Sequence, residues 1–271
     1  MADQVVKVRV ESELAYVGLN RPEKRNSINN EVLPALREAL AQADQVSVRA
    51  IILYGEGPVF SAGVDFNSLS GNGGSKEAPS SDRRSTVARL RNFITEAQSA
   101  LNYLENIEKP IIAALHGYVG GLGLELALAC DARICATGTR LGMPEVRIGL
   151  IPDVGGTTRL TRTVGYANAK ELIMTARMIA PEEALRIGLV NRVVGAGTHL
   201  SAAEELAREI ARNAPLAVGL AKKIIDRGHG VDKMTFMEFE ALAQSLLLQT
   251  EDFVEGAQAL AQRRDPIFKG R

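Results

Sequence analysis

The sequence predicts an α/β fold followed by a helical C-terminal region. Two observations lead to this prediction. Short β-branched segments alternate with helix-forming segments over residues 1–198, and from His199 onward the apolar pattern is almost wholly helical. We therefore expect a core unit over 1–198 and a helical region over 199–271. A chain of 271 residues is long enough to bury a sizeable core.

The first elements are predicted to be a β-hairpin and a helix. Residues 5–10 and 15–19 are rich in β-branched and aromatic side chains, and the polar residues 11–13 separate them. A helix is predicted over residues 31–43, because its leucines recur at helical spacing. We expect Asn30 to be its N-cap.

Further strands are predicted at four short apolar segments. They lie at 48–54, 111–115, 132–136 and 190–194. A helix-rich stretch between the first two indicates a β-α-β crossover. Residues 68–82 have the composition of a mobile surface loop and the length of a lid or flap. In the helical region, Pro215 begins a second segment and residues 228–230 separate a third.

Charge and composition argue against several classes of protein. Lys plus Arg and Asp plus Glu both number 32, so the formal net charge is zero, and aromatic residues reach only 4 %. Nucleic-acid-binding proteins usually carry a basic excess, and none is present. No apolar run approaches the ~18 residues that span a membrane, and the first residues lack the apolar core of a signal peptide. Cys130 and Cys135 are expected to be buried, reduced thiols of a cytoplasmic protein.

Two predicted strands lead into glycine-containing turns. Strand 48–54 leads into residues 57–65, and strand 111–115 leads into a turn with Gly120, Gly121 and Gly123. Glycines allow the backbone to approach a ligand closely, and free N–H groups there can hold a phosphate or an oxyanion. The patterns of P-loops, dinucleotide-binding turns, serine-hydrolase elbows and HExxH zinc sites are all missing.

Three carboxylates lie close to these turns in sequence. Glu125 is surrounded by leucine and alanine, Glu145 follows a proline, and Asp153 follows another. An acid after proline also fits an ordinary helix start. A carboxylate in an apolar run is rarely tolerated without a role.

Together these segments resemble the crotonase superfamily, the enoyl-CoA hydratase/isomerase family. The likeness covers essentially the whole chain, and the order and spacing of its motifs are specific. Four stretches carry it: Leu19-Asn-Arg-Pro-Glu-Lys-Arg-Asn-Ser, Phe60-Ser-Ala-Gly-Val-Asp-Phe, His116-Gly-Tyr-Val-Gly-Gly-Leu-Gly-Leu-Glu-Leu-Ala-Leu-Ala-Cys-Asp and Pro144-Glu-Val-Arg-Ile-Gly-Leu-Ile-Pro-Asp-Val-Gly-Gly-Thr-Thr-Arg-Leu.

The resemblance implies a spiral core of ββα repeats and a C-terminal helical region that forms trimers, or hexamers built from two trimers. It also implies an acyl-CoA thioester substrate and no metal or redox cofactor. By the same likeness, the backbone N–H groups of Ala62 and Leu122 form the oxyanion hole. Such donors stabilise the enolate-like charge that develops on a thioester oxygen.

Two reactions are compatible with the carboxylates. Enoyl-CoA hydratases carry two glutamates twenty residues apart, as Glu125 and Glu145 are here. On that interpretation Glu125 activates water at Cβ, Glu145 protonates Cα, and the addition is syn. Dienoyl-CoA isomerases resemble this chain in having Glu and Asp eight residues apart, as Glu145 and Asp153 are. The long stretch 66–106 also resembles theirs, but they carry Asp at position 125. We favour hydration.

The resemblance further predicts which residues contact coenzyme A. In this chain they are the loop residues Lys24, Arg25 and Asn26, the backbone of residues 60–65 with Ser61, Ala62 and Asp65, and Lys269 from a neighbouring subunit. Leu260 stands where hydratases often carry a phenylalanine against the adenine, so the chain departs from the family pattern at this contact.

A different class of function stays open. Some crotonases bind RNA, and Arg83, Arg84, Arg89 and Arg91 are local candidates, although the zero net charge argues against this. A fold without turnover is the third alternative. The presence of all three carboxylates favours an enzyme.

Overall fold

The computed structural model describes residues 4–65 and 83–271. The surface loop predicted over 68–82 lies outside the described residues, as do the side chains of Arg83 and Arg84. The strands in the described part are β1 (Val6–Glu11), β2 (Leu14–Leu19), β3 (Ala50–Gly55), β4 (Ile111–Leu115), β5 (Tyr118–Gly120), β6 (Ala132–Ala136), β7 (Arg140–Gly142) and β8 (Arg192–Val194).

Helices connect the strands and make up the C-terminal part of the chain. They are α1 (Val32–Ala43), α2 (Arg83–Asn106), α3 (Leu122–Leu128), α4 (Gly156–Thr175), α5 (Pro181–Arg186), α6 (His199–Ala211), α7 (Pro215–Arg227), α8 (Lys233–Leu247) and α9 (Glu251–Gln262). Two short 3-10 helices cover Pro22–Lys24 and Glu145–Ile148.

The main sheet has the strand order β1-β2-β3-β4-β6-β8. β1 and β2 pair antiparallel, which confirms the predicted hairpin, and the remaining neighbours are parallel. Beside it, β5 and β7 form a small parallel sheet, and Ser61 bridges to Val119. Each of β3, β4 and β6 is therefore followed by a short extended segment of a second layer, which produces a repeating ββ arrangement.

The two faces of the main sheet are covered by different helices. On one face, β-strand residues such as Leu53 and Leu115 pack with Leu36 of α1 and Leu101 of α2 in a large apolar core. On the other face, three alanines of α6 pack against side chains that include Tyr16 and Ile52. α6 therefore packs on the core sheet, although the domain boundary predicted at residue 198 places it in the C-terminal helical region.

Two local predictions need correction. Asn30 does not cap α1, because the Asn29 side-chain oxygen accepts the N–H groups of Glu31 and Val32, each at 3.1 Å. The third predicted C-terminal segment is two helices rather than one. They separate at Thr250, whose hydroxyl accepts the N–H of Phe253 and so caps the start of α9.

The two cysteines are buried free thiols, as predicted. Burial raises the pKa of Cys130 to about 12 and that of Cys135 to about 11, so both stay protonated at neutral pH. Among residues 4–65 and 83–271, no helix combines the length and apolarity needed to cross a membrane.

Candidate active site

Glu125 lies in the first turn of α3 and is only 2 % exposed. Its Oε1 accepts hydrogen bonds from the backbone N–H of Val154 at 2.9 Å and from that of Gly156 at 2.7 Å. Burial raises the pKa of Glu125 to about 7, and the charge of Glu145 adds to the rise, while the two N–H groups oppose it. The carboxyl group can therefore gain or lose a proton near neutral pH.

Two adjacent glycines shape the loop that holds this carboxylate. Gly155 has a φ of +95°, which other residues rarely adopt. A Cβ at Gly156 would lie 2.7 Å from Oε1 of Glu125 and 2.5 Å from Cβ of Pro152. Only a residue without a side chain lets this loop bring its N–H groups up to Glu125.

Glu145 begins the 3-10 helix that follows β7. The residue is half-buried, and its Oε2 is shielded from solvent without a hydrogen-bond partner among the described residues. Its Oε1 lies over Gly121, where a Cβ would approach it to 2.7 Å. Burial raises the pKa of Glu145, and the nearby charge of Asp153 raises it further. One oxygen of this acid is thus free to bind a proton or a substrate group.

Asp153 lies on the loop next to Val154, and its side chain is exposed. Its backbone carbonyl accepts a hydrogen bond from Nε2 of Gln98 at 2.7 Å, so α2 holds this point of the loop. Partial burial raises the pKa of Asp153. Its charge in turn raises the pKa of Glu125 and of Glu145. The structure therefore brings the three predicted carboxylates into one electrostatic cluster.

The oxyanion donor predicted at Ala62 needs correction. The N–H of Ala62 donates to the carbonyl of Arg25 at 2.9 Å and is therefore occupied. The N–H of Gly63 donates to Oγ of Ser61, and that of Asp65 donates to the carbonyl of Ile28. Between them, the N–H of Val64 has no acceptor in the described part of the chain. Val64, two residues later than predicted, is the available donor.

The second predicted donor, Leu122, is the first residue of α3 and its N–H also lacks an acceptor among the described residues. In the parallel bridge between Val64 and Ile28, the hydrogen bonds to Ile28 are made by the carbonyl of Gly63 and the N–H of Asp65. The N–H of Val64 itself therefore points away from Ile28. A Cβ at Gly63 would lie 2.7 Å from the carbonyl oxygen of Gly120 and 3.4 Å from the nitrogen of Leu122. The two backbone segments that carry these N–H groups are thus in contact.

The side chains of two residues predicted to contact coenzyme A are used within the loop itself. Asn26 is buried, and its side chain accepts the N–H of Arg21 and donates to the carbonyls of Glu56 and Val59. The Ser61 hydroxyl is buried and donates to the carbonyl of Asn26. These side chains hold the loop in place, and the contact of coenzyme A with this loop and with the backbone of residues 60–65 stays a prediction.

The charged members of the predicted set lie in two places. Lys24 and Arg25 are exposed, with the Arg25 guanidinium 5.0 Å from the centre of the Tyr118 ring. Asp65 pairs with Arg21 at 3.1 Å. The exposed Lys269 lies apart from them.

Lys269 follows Phe268, whose carbonyl accepts a hydrogen bond from Arg49 at 2.6 Å. Arg49 directly precedes β3, whereas the candidate site is at the far end of β3. Lys269 therefore does not join the site of its own chain. Its contribution from a neighbouring subunit stays a prediction.

The described residues contain no group of three or more His, Cys, Asp or Glu that could hold a metal ion. Sequence reasoning missed the N–H groups of Val154 and Gly156, although the adjacent glycines after Pro152 were a readable signal. It also missed Arg159, which is buried and contacts the same loop.

Known proteins with similar sequences and folds identify the family to which this chain belongs. A family described as enoyl-CoA hydratase/isomerase matches residues 9–271. The chain is 38 % identical to a short-chain-enoyl-CoA hydratase of Clostridium acetobutylicum, over 94 % of this chain and 93 % of that one. It is 36 % identical to a crotonyl-CoA hydratase of Syntrophomonas wolfei, over 99 % of both. A crystal structure of an enoyl-CoA hydratase from Bacillus anthracis superposes with a TM-score of 0.90 at 35 % identity, covering 99 % of this chain and all of that one. These matches confirm the fold class predicted from the sequence.

Proposed function

The chain belongs to the enoyl-CoA hydratase/isomerase family of enzymes, and from this premise we propose that it adds water to a 2-enoyl-CoA to give a 3-hydroxyacyl-CoA. The single observation that supports this most strongly is the buried Glu125, whose pKa the charge of Glu145 raises, three residues after Leu122, whose N–H has no acceptor among the described residues. An acyl-CoA thioester as substrate is consistent with the family.

In the proposed reaction the thioester oxygen binds between the N–H groups of Val64 and Leu122. Adding hydroxide at C3 moves the electrons of the double bond toward the carbonyl, so that oxygen becomes negative in the transition state. Fixed N–H donors stabilise this charge more than they stabilise the neutral substrate, and losing one such donor typically costs ~2.7–4 kcal/mol.

Glu125 acts as the base that takes a proton from water as the oxygen attacks C3. Its pKa of about 7 suits a group that must be ionised before the step and protonated after it. Glu145 supplies the proton to C2, and burial raises the pKa of Glu145, which favours the protonated form that this step needs. With both acids on one face of the substrate, hydrogen and hydroxyl add syn. Glu125 then releases its proton to solvent and Glu145 takes one up, which restores both groups for the next turnover.

Coenzyme A is proposed to pass Lys24 and Arg25, whose exposed cations suit its phosphates. Lys269 of a neighbouring subunit, in a trimer or a hexamer, is proposed to complete this site. Supporting this assembly, α8 and α9 expose apolar side chains, including Met234, Leu242 and Leu246. Because α6 covers the core sheet, we assign the proposed subunit contacts to the helices that follow it.

A second reaction is favoured by one observation, the charge coupling of Asp153 with Glu145. In that version the two acids shuttle a proton along a 3,5-dienoyl-CoA to give the 2,4-dienoyl isomer. The exposed side chain of Asp153 is less suited to proton transfer in a dry site than the buried Glu125 is.

The experiment supplies purified protein with crotonyl-CoA and follows the loss of enoyl-thioester absorbance. We expect hydration to 3-hydroxybutyryl-CoA that persists after dialysis against EDTA, since the mechanism uses no metal. A parallel assay offers a 3,5-dienoyl-CoA. Rapid formation of the 2,4-diene that Asp153→Asn abolishes and Glu125→Gln leaves intact would reverse the assignment. Enoyl-CoAs of different chain length then define the acyl preference.

A further inference from the structure

We infer that Arg159 is a positioning residue for the proposed hydration: by holding the carbonyl of Val154 it keeps the neighbouring N–H groups on the Glu125 carboxylate. This inference rests on the proposed function for its kinetic consequence, but the geometry stands by itself. Arg159 lies on α4 and is only 8 % exposed, a rare placement for arginine unless its guanidinium is fully used.

The Arg159 guanidinium has a partner in each direction of its plane. Nη1 donates to the carbonyl of Val154 at 2.9 Å. Nε and Nη2 form a bidentate pair with the carboxylate of Glu105, at 2.6 and 2.9 Å. Nη2 also donates to Oδ1 of Asn102 at 2.8 Å. The positive charge is neutralised, so the contact to Val154 acts by geometry rather than by adding charge to the site.

The partners of Arg159 belong to a single polar face of α2. Gln98, Asn102 and Glu105 follow one another at spacings of four and three residues, which places them on one side of a helix. Gln98 holds the carbonyl of Asp153, while Asn102 and Glu105 hold Arg159. This face of α2 therefore fixes two successive carbonyl groups of the loop, Asp153 directly and Val154 through Arg159.

The chain of contacts ends at the proposed base. The Val154 residue whose carbonyl Arg159 holds also donates its N–H to Oε1 of Glu125. The next donor, Gly156, lies one residue past Gly155, and a Cβ at Gly155 would overlap the Arg159 guanidinium. The arginine thus fills the space that Gly155 leaves open. Without the arginine, the loop loses the contact that holds the N–H groups of Val154 and Gly156 at hydrogen-bonding distance from Glu125.

Arginine suits this place better than lysine does, because its planar fork can bind a carboxylate with two groups and still reach a carbonyl with a third. An ammonium group in the same space can contact the carbonyl of Val154 or the carboxylate of Glu105, but it cannot reproduce the bidentate pair. Arg159→Lys is therefore the conservative variant that restores part of the geometry, and Arg159→Met removes all of it.

The test compares Arg159→Met, Arg159→Lys and Glu105→Gln with Arg177→Met as the matched control. Arg177 also forms a bidentate pair with a glutamate, Glu183, at 2.9 and 2.7 Å, but it does not contact the loop. For each full-length variant we measure kcat and KM for crotonyl-CoA across pH, and the melting temperature. The titration of Glu125 is followed separately by ¹³C NMR of the glutamate side chains, assigned with Glu125→Gln.

We expect Arg159→Met to lower kcat about 10²-fold with KM within about twofold, because a misplaced base costs rate rather than binding. Arg159→Lys should recover part of this loss, and Glu105→Gln should show a smaller change in the same direction. Since the N–H groups lower the pKa of Glu125, loosening them should move its titration and the acid limb of the rate profile to higher pH. Arg177→Met should keep wild-type kcat and the wild-type acid limb.

Wild-type kcat and acid limb in Arg159→Met would overturn the inference, as would equal changes in Arg177→Met. If Arg159→Met does not fold, Arg159→Lys and Glu105→Gln decide in its place, and unchanged kinetics in both overturn the inference. If the wild-type protein hydrates no enoyl-CoA, the proposed function fails, and the NMR titration alone then decides the positioning role. A Glu125 titration midpoint at higher pH in the Arg159 variants supports that role, and an unchanged midpoint contradicts it.

Discussion

Glu125 and Glu145 are both withdrawn from water, but the two regions that hold them are built differently. Glu125 sits on α3 in the interior, 2 % exposed, with two backbone N–H groups on one oxygen. Glu145 sits on a 3-10 turn after β7, half-buried, with one oxygen that accepts nothing from the described residues. Both carboxyl groups are shielded from water, but only Glu125 accepts hydrogen bonds from two backbone N–H groups of a neighbouring loop.

The difference in hydrogen bonding suits the two carboxyl groups to different roles, base for Glu125 and acid for Glu145. Donors fix the orientation of Glu125 and partly offset the cost of ionising a buried carboxylate, which suits a base that must start ionised. The missing donor leaves Glu145 with capacity for a proton, which suits an acid that must deliver one. The predictions below test this comparison, from the largest expected effect to the smallest.

The largest effect is expected for Glu145→Gln. An amide at this position cannot deliver the proton to C2, so kcat for crotonyl-CoA should fall about 10²- to 10⁴-fold while KM changes little. Steady-state kinetics measure this. Glu171→Gln, at an exposed glutamate of α4, is the matched control and should keep the wild-type kcat. Intact kcat in Glu145→Gln would remove Glu145 from the mechanism.

Gly121→Ala should lower kcat about 10²-fold by displacing the same side chain. Its Cβ would approach Oε1 of Glu145 to 2.7 Å, and the φ of +52° adds backbone strain. Gly138→Ala separates these two effects, because Gly138 has a φ of +79° but open space around its Cβ position. The control should lose stability without losing kcat, and equal losses of kcat in both variants would contradict the proposed contact.

Because Glu125 is buried, its contribution to the free energy of unfolding should depend on pH. Its pKa rises from 4.5 to about 7 on folding, so its contribution to stability is fully present below pH 4.5 and is lost as the pH rises through 7. The unfolding free energy of the wild type relative to Glu125→Gln should therefore fall by on the order of 3 kcal/mol between pH 4 and 8. Urea denaturation at each pH measures it.

The same experiment with Glu145→Gln sharpens the comparison. Because Glu145 is only half-buried, we expect a fall in the same direction but smaller than that for Glu125. A pH-independent difference for Glu125→Gln, or a larger fall for Glu145→Gln, would reverse the assignment of the two environments.

The smallest effect is expected for Asp153→Asn in the hydration assay. The Asp153 side chain is exposed, and its contribution to the loop is through its backbone carbonyl, which asparagine retains. Hydration should therefore slow by less than the ~10²-fold that marks loss of a general acid or base. A greater loss would place Asp153 among the groups that touch the substrate.

Much of the fold was readable from the sequence, because alternating apolar segments and glycine-rich turns report local structure directly. The hairpin, the strands at 111–115 and 132–136 and the helix after Gly121 are where the pattern placed them. Capping was less readable. Asn29 and Asn30 are the same residue type side by side, and only the backbone direction decides which of the two reaches the helix N–H groups.

The carboxylates of the site were predicted by residue type and spacing, but the backbone groups were harder. Choosing Val64 over Ala62 requires knowing which N–H is already bound, and that depends on partners around Arg25 and Ile28, far away in sequence. Arg159 was missed for the same reason, because its contact to Glu105 joins segments more than fifty residues apart. Its contact to Val154 is local, but it depends on how the intervening turn folds.

The central claim is that Glu125 and Glu145 act together from one face of the substrate. The most direct test is to hydrate crotonyl-CoA in ²H₂O and to determine by NMR the relative configuration of deuterium at C2 and hydroxyl at C3. The account predicts a single product of syn addition, formed by the wild type and lost in Glu145→Gln. An anti product, or a mixture of both configurations from the first turnovers, would contradict it.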